Sequence, residues 1–231
     1  MTATKSVKVR PRRYRIVAVI TTVAELRMAA GMSRPPDLFE VRLDHLLDGL
    51  NIRDIRRLSA PIIVTARHPA EGGANNLSMK HRQELLLRFL PLARYIDVEL
   101  RSAKHLQVVL DVARDRNVRR IISFHEFLST PTLGSLRAKA KAARSFHPEI
   151  FKVVVRTDTL PQLGRLLRFV AETEQHVKIS AMGVGKLGAI SRILFTNCGS
   201  TLVYTSLRES RVEGQMSLPE FQRALRTFGL T

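Results

Sequence analysis

One lysine interrupts an otherwise apolar run, FKVVV over residues 151–155, whose β-branched residues are typical of a strand. Lys152 would lose its hydration in such a strand, and desolvation favours the neutral amine, which is a nucleophile. A second apolar run, residues 121–124, ends at His125, a base of tunable charge. Together the two residues indicate covalent catalysis on a carbonyl compound through a Schiff base. The alternative is that Lys152 lies on an edge strand and reaches solvent along its stem.

The elements that must position these residues alternate along the chain. Short apolar runs predict strands, and helical periodicity fills most of the gaps. Eight strands that alternate with helices in 231 residues favour a single-domain (β/α)8 TIM barrel, with an open doubly wound sheet as the alternative. The predicted strands span residues 15–20, 38–43, 61–66, 95–100, 120–124, 150–155, 177–181 and 201–206. The predicted helices span residues 45–58, 78–92, 106–116, 132–146, 160–173, 187–195 and 218–228, with a weaker pattern over 22–32.

A barrel places its active-site residues at the carboxyl ends of the strands, and charged residues recur there. The second strand contains EVRLD over residues 40–44, and its period of two puts Glu40, Arg42 and Asp44 on one face. Because three charges would be crowded against the outer helices, we expect them to face inward in a hydrogen-bonded ionic network. The third strand ends at Arg67 and is followed by Glu71 and two glycines. These residues, with His125 and Lys152, form the predicted site.

Residues 183–188, GVGKLG, match the glycine pattern of dinucleotide-binding loops. A dinucleotide-binding fold needs further βαβ units after this turn, and only one predicted strand remains. We therefore interpret the glycines as letting the backbone approach an anion after the seventh barrel strand.

The chain is strongly basic, with 38 Lys and Arg against 20 Asp and Glu, a net charge of +18. Residues 1–14 are predicted to be a basic, disordered tail that precedes a catalytic domain over residues 15–231. A positive field favours anionic small molecules, nucleic acid or anionic membranes. The sequence has no helix-turn-helix, zinc-finger or RNA-binding signature, and no tryptophan, so we interpret the excess as a solvated basic surface rather than a nucleic-acid site.

The single cysteine, Cys198, excludes an intramolecular disulfide and a cysteine-rich metal site. This composition suits a reducing cytoplasm, and we predict a cytoplasmic protein. No apolar run approaches the roughly 18 residues of a membrane span. The sequence leaves the oligomeric state open, a homodimer included.

A set of ordered segments resembles one known family, type I 3-dehydroquinate dehydratase, a lyase of the shikimate pathway of aromatic amino acid biosynthesis. The similarity extends from residue 15 to the C-terminus in the family's order and spacing. The matching segments are residues 40–44, 65–67 with 71–73, 95–99, 123–127, 151–152, 182–192 and 214–215. The family's fold is a (β/α)8 barrel, in agreement with the strand count.

The resemblance implies removal of water from 3-dehydroquinate to give 3-dehydroshikimate. Lys152 matches the lysine that forms an imine with the C3 ketone, and His125 matches the base that takes the C2 proton and helps the C1 hydroxyl to leave. Glu71 matches the acid that orients this histidine. The imine supplies the activation, so no metal or organic cofactor is implied. The remaining matches are substrate-binding residues: Glu40, Arg42, Asp44 and Arg67 in a polar floor, Arg192 on the substrate carboxylate and Gln215 in the last loop.

The last loop departs from the family's usual Ser-x-Pro-Gly-Gln. Arg211 occupies the serine position and Glu213 the proline position, while Ser210 is displaced by one residue. Loss of proline is expected to raise the entropic cost of ordering the loop. The departure concerns loop closure and substrate affinity rather than imine chemistry.

Two alternatives to the dehydratase remain at this point. Another lysine-imine barrel enzyme, such as a class I aldolase, predicts a phosphate site near residues 183–188. A basic barrel protein that binds nucleic acid and has little activity predicts useful nucleic-acid affinity at physiological salt. Retention of Lys152, His125, Glu71 and Arg192 favours an enzyme.

Overall fold

The computed structural model describes residues 14–47, 50–173, 177–210 and 212–230. Eight strands, hydrogen-bonded in parallel, follow one another around a barrel in the order β7-β6-β5-β4-β3-β2-β1-β8. The strands are β1 Arg15–Ile20, β2 Leu38–Arg42, β3 Ile62–Thr65, β4 Tyr95–Glu99, β5 Arg119–Glu126, β6 Ile150–Arg156, β7 Lys178–Val184 and β8 Leu202–Ser206. The predicted barrel is confirmed, and the open doubly wound sheet is excluded.

Helices follow the strands and cover the outside of the barrel. The α-helices are α1 Val23–Ala30, α2 Ile52–Ile55, α3 Met79–Phe89, α4 Leu100–Ala103, α5 Gln107–Asp115, α6 Leu133–Arg144, α7 Leu160–Thr173, α8 Gly188–Asn197 and α9 Leu218–Thr227. Two short 3-10 helices cover Pro69–Glu71 and Leu90–Leu92. Hydroxyl side chains cap four α-helices at their amino ends, because each accepts a hydrogen bond from an otherwise unpaired backbone amide; these caps are Thr22, Ser78, Thr132 and Ser217.

The junction of β7 with β8 closes the barrel. Thr201 N donates to Ile179 O at 2.7 Å, which joins the two strands through the backbone. Nearby, Ser180 Oγ donates to Leu202 O at 2.8 Å, and Ala181 N donates to Ser200 Oγ at 3.1 Å. Serine side chains thus complete the hydrogen bonding where the ladder is weakest.

The core has two layers that leave one end of the barrel for the site. A large apolar cluster lies between the strands and the helices. A smaller cluster fills the barrel interior with residues near the amino ends of the strands, including Val17, Leu38, Tyr95 and Ile150. The polar interior therefore begins above this apolar layer, toward the carboxyl ends.

Two sequence predictions differ from the structure. The predicted helix over residues 45–58 is wrong: within its described residues, only Ile52–Ile55 is helical. Asp44 explains the difference, since its carboxylate accepts hydrogen bonds from the amides of Arg67 and Ala74 and keeps the chain in a turn after β2. Strands β5 and β7 also run two and three residues further than predicted, so His125 lies within its strand rather than after it.

The predicted N-terminal tail lies outside the described residues except for Tyr14. The Tyr14 hydroxyl donates to Leu230 O at 2.9 Å, and its ring packs near Phe221 and Leu225. Among the helices of the described ranges, none combines the length and apolarity that a membrane crossing requires.

Candidate active site

A cavity of about 290 Å³ opens at the carboxyl ends of the strands. Eight of the nine predicted site residues line it, although they come from six different strands or the segments that follow them. These are Glu40, Arg42, Arg67, Glu71, His125, Lys152, Arg192 and Gln215. The ninth, Asp44, lies behind Arg42 and supports it.

Lys152 projects into the barrel from β6, which lies between β5 and β7, and the residue is 3% exposed. The edge-strand interpretation is therefore wrong. Lys152 Nζ donates to Asp97 Oδ2 at 3.0 Å and lies 3.5 Å from Glu40 Oε1. It also lies 3.8 Å from the centroid of the Tyr204 ring. Two carboxylates and an aromatic ring thus enclose the amine.

Arg67 is the centre of the ionic network at the bottom of the cavity. Its guanidinium lies 3.0 Å from Asp97 Oδ2, 3.4 Å from Glu99 Oε1 and 3.6 Å from Glu40 Oε1. Burial opposes its charge, but these three carboxylates raise the pKa of Arg67 above its usual value. Burial likewise opposes ionisation of Asp97, yet Arg67 and Lys152 hold its pKa well below the usual range. We call Glu40, Arg67, Asp97 and Lys152 the charged floor.

A second buried arginine, Arg82 of α3, supports the charged floor from outside the barrel. It forms an ion pair with Glu99. Arg82 Nε also donates to Ala66 O at 2.7 Å, and Nη1 donates to Ser102 Oγ at 3.0 Å. Because Arg82 and Arg67 share Glu99, this pair links helix α3 to the residues around the lysine.

Glu71 and His125 form a hydrogen-bonded pair on one wall of the cavity. Glu71 ends the 3-10 helix after β3, and its Oε2 accepts a hydrogen bond from the His125 backbone amide at 3.0 Å. The same oxygen lies 2.9 Å from His125 Nδ1. When Glu71 is ionised, its oxygen can only accept, so Nδ1 carries the proton and Nε2 has the lone pair that can act as a base.

The electrostatic surroundings support a neutral imidazole. Burial lowers the pKa of His125 well below its usual value, and the positive charges of Arg67 and Lys152 lower it further. Burial raises the pKa of Glu71 to about 7, and the nearby Arg67 opposes this shift. Arg101 also approaches Glu71 from the exposed side, with Nε 3.5 Å from Oε1. The imidazole is therefore neutral at neutral pH, and Glu71 is the member of the pair that titrates near pH 7.

Arg42 and Asp44 face inward from the end of β2, as predicted. Arg42 Nε and Nη2 donate to the two Asp44 oxygens at 2.9 and 2.7 Å, a bidentate arrangement. Arg42 Nη2 also donates to Gly72 O at 2.9 Å. Since Asp44 further accepts from the Arg67 and Ala74 amides, it joins β2 to the loop that contains Glu71.

Arg192, from α8, is as deeply buried as Arg67 but lacks an acidic partner among the described residues. Its Nη1 donates to the carbonyls of Gly183, Gly188 and Gly214 at 2.8, 3.0 and 2.7 Å. Its Nε donates to Tyr204 O at 3.1 Å. Burial lowers the pKa of Arg192 to about 10. We call Arg192 and these four carbonyls the arginine rim.

The glycines of residues 183–188 do not form an anion cradle. The Gly185 amide donates to Glu213 O, and the Gly188 amide donates to Gly185 O, both at 2.9 Å. The Lys186 amide donates to Asp158 Oδ1 at 2.8 Å. These amides are already paired within the protein, so the predicted role for this loop is wrong.

The last βα loop brings Gln215 to the cavity. Its backbone amide donates to Val212 O at 3.0 Å. Ser210, the displaced serine, donates to Val212 O at 2.7 Å and does not line the cavity. Arg211, which occupies the serine position of the family's loop, lies outside the described residues.

Four residues around the site were absent from the predicted set: Asp97, Glu99, Arg82 and Tyr204. The alternation of Tyr95, Asp97 and Glu99 along β4 was a usable signal, because it puts both acids on the interior face. Arg82 and Tyr204 had no comparable local pattern. The described residues contain no group of three or more His, Cys, Asp or Glu side chains suited to a metal ion.

The fold and the cavity define a class of protein: a (β/α)8 barrel with a buried lysine and a neutral histidine at the catalytic end of its strands. Comparison with known proteins narrows this class. Residues 16–231 match the family described as type I 3-dehydroquinase, and the chain belongs to that family.

Individual relatives agree with this assignment. The 3-dehydroquinate dehydratase of Thermococcus onnurineus is 31% identical over 194 residues, which cover 84% of this chain and 88% of that protein. The enzyme of the same name from Pyrococcus abyssi is 32% identical over 198 residues, 85% of this chain and 90% of the other. The crystal structure of 3-dehydroquinate dehydratase from Geobacillus kaustophilus superposes with a TM-score of 0.83 at 24% identity, covering 94% of this chain and 92% of that one, which supports the fold.

Proposed function

We propose that the protein removes water from 3-dehydroquinate to form 3-dehydroshikimate through an imine on Lys152. The observation that supports this most directly is a lysine and a Glu71-paired histidine in one cavity, next to an arginine that lacks an acidic partner among the described residues. Membership of the type I family supports the same reaction.

The chemistry begins with attack of the Lys152 amine on the C3 ketone of the substrate. Loss of the ketone oxygen as water leaves an imine, and uptake of one proton on its nitrogen gives a protonated imine, which withdraws electrons and makes the C2 proton acidic. His125 Nε2 takes that proton, and the electron pair moves toward the imine nitrogen. The C1 hydroxyl then leaves with the proton that His125 returns, and hydrolysis of the imine releases the product. Overall, the substrate loses one water, as the hydroxyl of C1 and a proton of C2.

Each neighbour of the two catalytic residues has a defined role in this proposal. Glu71 accepts a hydrogen bond from Nδ1 of His125 and thereby fixes the tautomer of the imidazole. Glu40, Arg67 and Asp97 hold the amine below the substrate and compensate the charge that develops on nitrogen. No metal or organic cofactor takes part.

Arg192 binds the substrate carboxylate. Nε and Nη1 already donate to carbonyls, so Nη2 is the nitrogen that would donate to the carboxylate. An anion here would compensate a buried charge whose hydrogen-bond partners among the described residues are carbonyls. Arg42 and Gln215 line the same cavity and contact the substrate hydroxyls, with Asp44 holding Arg42 in place.

The two alternatives have less support. A class I aldolase acting on phosphorylated substrates needs free amides near residues 183–188, and those of Gly185, Lys186 and Gly188 are occupied. A nucleic-acid-binding role for the basic surface predicts a steep salt dependence of binding, which a salt-titrated binding assay measures. The oligomeric state, including a homodimer, is decided by sedimentation.

The deciding experiment incubates the protein with 3-dehydroquinate and follows the absorbance of the conjugated enone product. Borohydride added during turnover should attach the reduced ligand to the peptide that contains Lys152, as read by mass spectrometry. Lys152→Met should fold but show neither turnover nor attachment. His125→Ala should lose most turnover yet still trap the adduct, because imine formation precedes proton removal. Attachment to another lysine would reject the mechanism.

A further inference from the structure

Three βα loops meet beside the arginine rim through charged side chains. Arg156, the last residue of β6, donates from Nε to Asp158 Oδ2 at 2.6 Å in the loop that follows. Its Nη1 lies 2.9 Å from Glu213 Oε2 in the loop after β8. Arg156 thus connects the sixth and eighth loops, and Glu213 is the residue that stands where the family usually has proline.

The seventh loop packs between these two. The Gly185 amide donates to Glu213 O at 2.9 Å. Gly185 has φ +92°, and a Cβ there would overlap the Asp158 carboxylate and lie 2.8 Å from Arg156 Nε. Gly214 has φ +75°, and a Cβ on it would overlap the Gly185 carbonyl. Only glycine permits this approach, so the contact among the three loops is specific rather than incidental.

The residues that follow Glu213 belong to the proposed substrate site. Gly214 O accepts the 2.7 Å hydrogen bond from Arg192 Nη1, and Gln215 lines the cavity. The Arg156–Glu213 ion pair is therefore one residue away from the carbonyl that orients Arg192 and two residues away from Gln215. Displacement of Glu213 would move both groups relative to the substrate.

We propose that the Arg156–Glu213 ion pair positions Gly214 and Gln215 for substrate binding, in place of the proline of the family's loop. This inference rests on the proposed function. The ring of a proline limits the backbone conformations that a loop can adopt, even when the loop is open or unfolded. An ion pair instead holds the loop in place through an electrostatic contact. The second device responds to salt, because Glu213 is half exposed and its charge is screened.

The first test compares kinetics at increasing salt for the wild type, Glu213→Gln and Glu213→Pro. At low salt, Glu213→Gln should raise KM about two- to five-fold with kcat unchanged, as expected for one partly exposed ion pair. Its KM should also rise less steeply with salt. Glu213→Pro should keep the wild-type KM at low salt and show the same reduced salt dependence. The Glu213 amide donates no hydrogen bond to a described residue, so proline costs none there.

The matched control is Glu172→Gln. Glu172 pairs with Arg168 on α7 at 2.8 Å and with Arg137, so the variant removes the same charge from another partly exposed ion pair. Its KM and salt dependence should equal those of the wild type. An equal KM for Glu213→Gln and the wild type at low salt would overturn the proposal. So would a Glu213→Pro variant that binds as poorly as Glu213→Gln.

A double-mutant cycle tests whether Glu213 acts through Arg156. Glu213→Gln should have little further effect on KM when Arg156 is already Gln, and additive effects would contradict the proposed pair. Hydrogen exchange separates this proposal from the reaction itself, since it needs no substrate. Glu213→Gln should speed exchange of the Gly185 amide, which donates to Glu213 O, and unchanged exchange would count against the ion pair. A wild type that exchanges slowly but has no activity would reject the proposed function instead.

Discussion

The cavity contains two arginines that are equally buried, each 2% exposed, but are held in opposite ways. Arg67 in the charged floor is surrounded by Glu40, Asp97 and Glu99. Arg192 in the arginine rim contacts only backbone carbonyls among the described residues. The pKa of Arg67 is raised despite burial, because of the three acids, while burial lowers the pKa of Arg192 to about 10.

This difference separates a charge that serves the fold from a charge kept for a ligand. A buried cation stabilises the protein only when compensating anions accompany it, which is the case at the charged floor. At the arginine rim, carbonyl dipoles compensate the charge in part, and a substrate carboxylate would complete it. Arg67 should therefore contribute mainly to stability, and Arg192 should contribute mainly to affinity.

The largest effect is expected from Arg67→Met, compared with Arg192→Met. Arg67→Met leaves Asp97, Glu40 and Glu99 short of a cation and should lower the free energy of unfolding by about 3–5 kcal/mol. Arg192→Met leaves carbonyl acceptors unpaired, which should cost about 1–3 kcal/mol. Urea denaturation of both variants measures the difference. Equal losses would show that the two environments do not differ in their contribution to stability.

A change to Arg192 in the arginine rim should affect substrate binding more than stability. Arg192→Lys keeps the charge but loses the planar pair of donors, so kcat/KM should fall by a factor equivalent to about 1.5–3 kcal/mol. The loss should appear mainly in KM. An unchanged kcat/KM would show that another arginine, such as Arg67 in the same cavity, binds the substrate carboxylate.

The sequence predicted the structure best where a feature depends only on neighbouring residues. The apolar runs of residues 150–155 and 201–206 predicted strands to within one residue, because a run of apolar, β-branched residues is a local property. Lys152 was recognisable for the same reason, as the single charge in its run. The charges of β2 were also placed correctly, because the outer face of a barrel strand is covered by helices.

The remaining features depend on contacts between distant segments. Glu99 pairs with Arg82 from α3 and Arg67 from the loop after β3, which no local pattern announces. The carbonyl partners of Arg192 come from β7, α8, β8 and the loop after β8, so their convergence follows only from the packing of α8. The helix predicted over residues 45–58 failed because Asp44 makes its hydrogen bonds to a segment more than twenty residues away.

A moderate effect is expected from Glu71→Gln, which tests the role of the Glu71 carboxylate beside His125 on the wall of the cavity. The wild-type kcat/KM should fall as the pH drops through about 7, because Glu71 becomes protonated there and no longer accepts the His125 proton as an anion. Glutamine still accepts that hydrogen bond but does not titrate. The variant should therefore keep activity to lower pH, with a plateau reduced roughly ten-fold by loss of the charged partner. A fall at the same pH in the variant would assign the titration to another group.

Stability provides an independent measurement of the same carboxyl group. The pKa of Glu71 is higher in the folded protein than its usual 4.5, so the folded state binds the proton more tightly than the unfolded state. Stability from this group is fully present below the unfolded pKa of 4.5 and is lost as the pH rises through the folded pKa of about 7. Wild-type Tm should therefore decrease between about pH 5 and pH 7 relative to the Tm of Glu71→Gln, and the difference should level off above that. A constant difference between the two proteins would contradict the raised pKa.

The smallest effect is expected at Tyr204, the residue that joins the charged floor to the arginine rim. Its ring lies 3.8 Å from Lys152 Nζ, and its carbonyl accepts from Arg192 Nε at 3.1 Å. Its hydroxyl is buried and has no hydrogen-bond partner among the described residues. Tyr204→Phe keeps the ring and removes an unpaired polar group, so kcat should change less than about two-fold and stability should stay equal or increase by about 1 kcal/mol. Tyr204→Leu removes the ring and should slow borohydride trapping at Lys152. If Tyr204→Phe instead lost activity ten-fold or more, the hydroxyl would have to contact the substrate. Substrate binding would then extend from Arg192 to the residue beside Lys152, and the contrast between Arg67 for stability and Arg192 for binding would not describe the cavity.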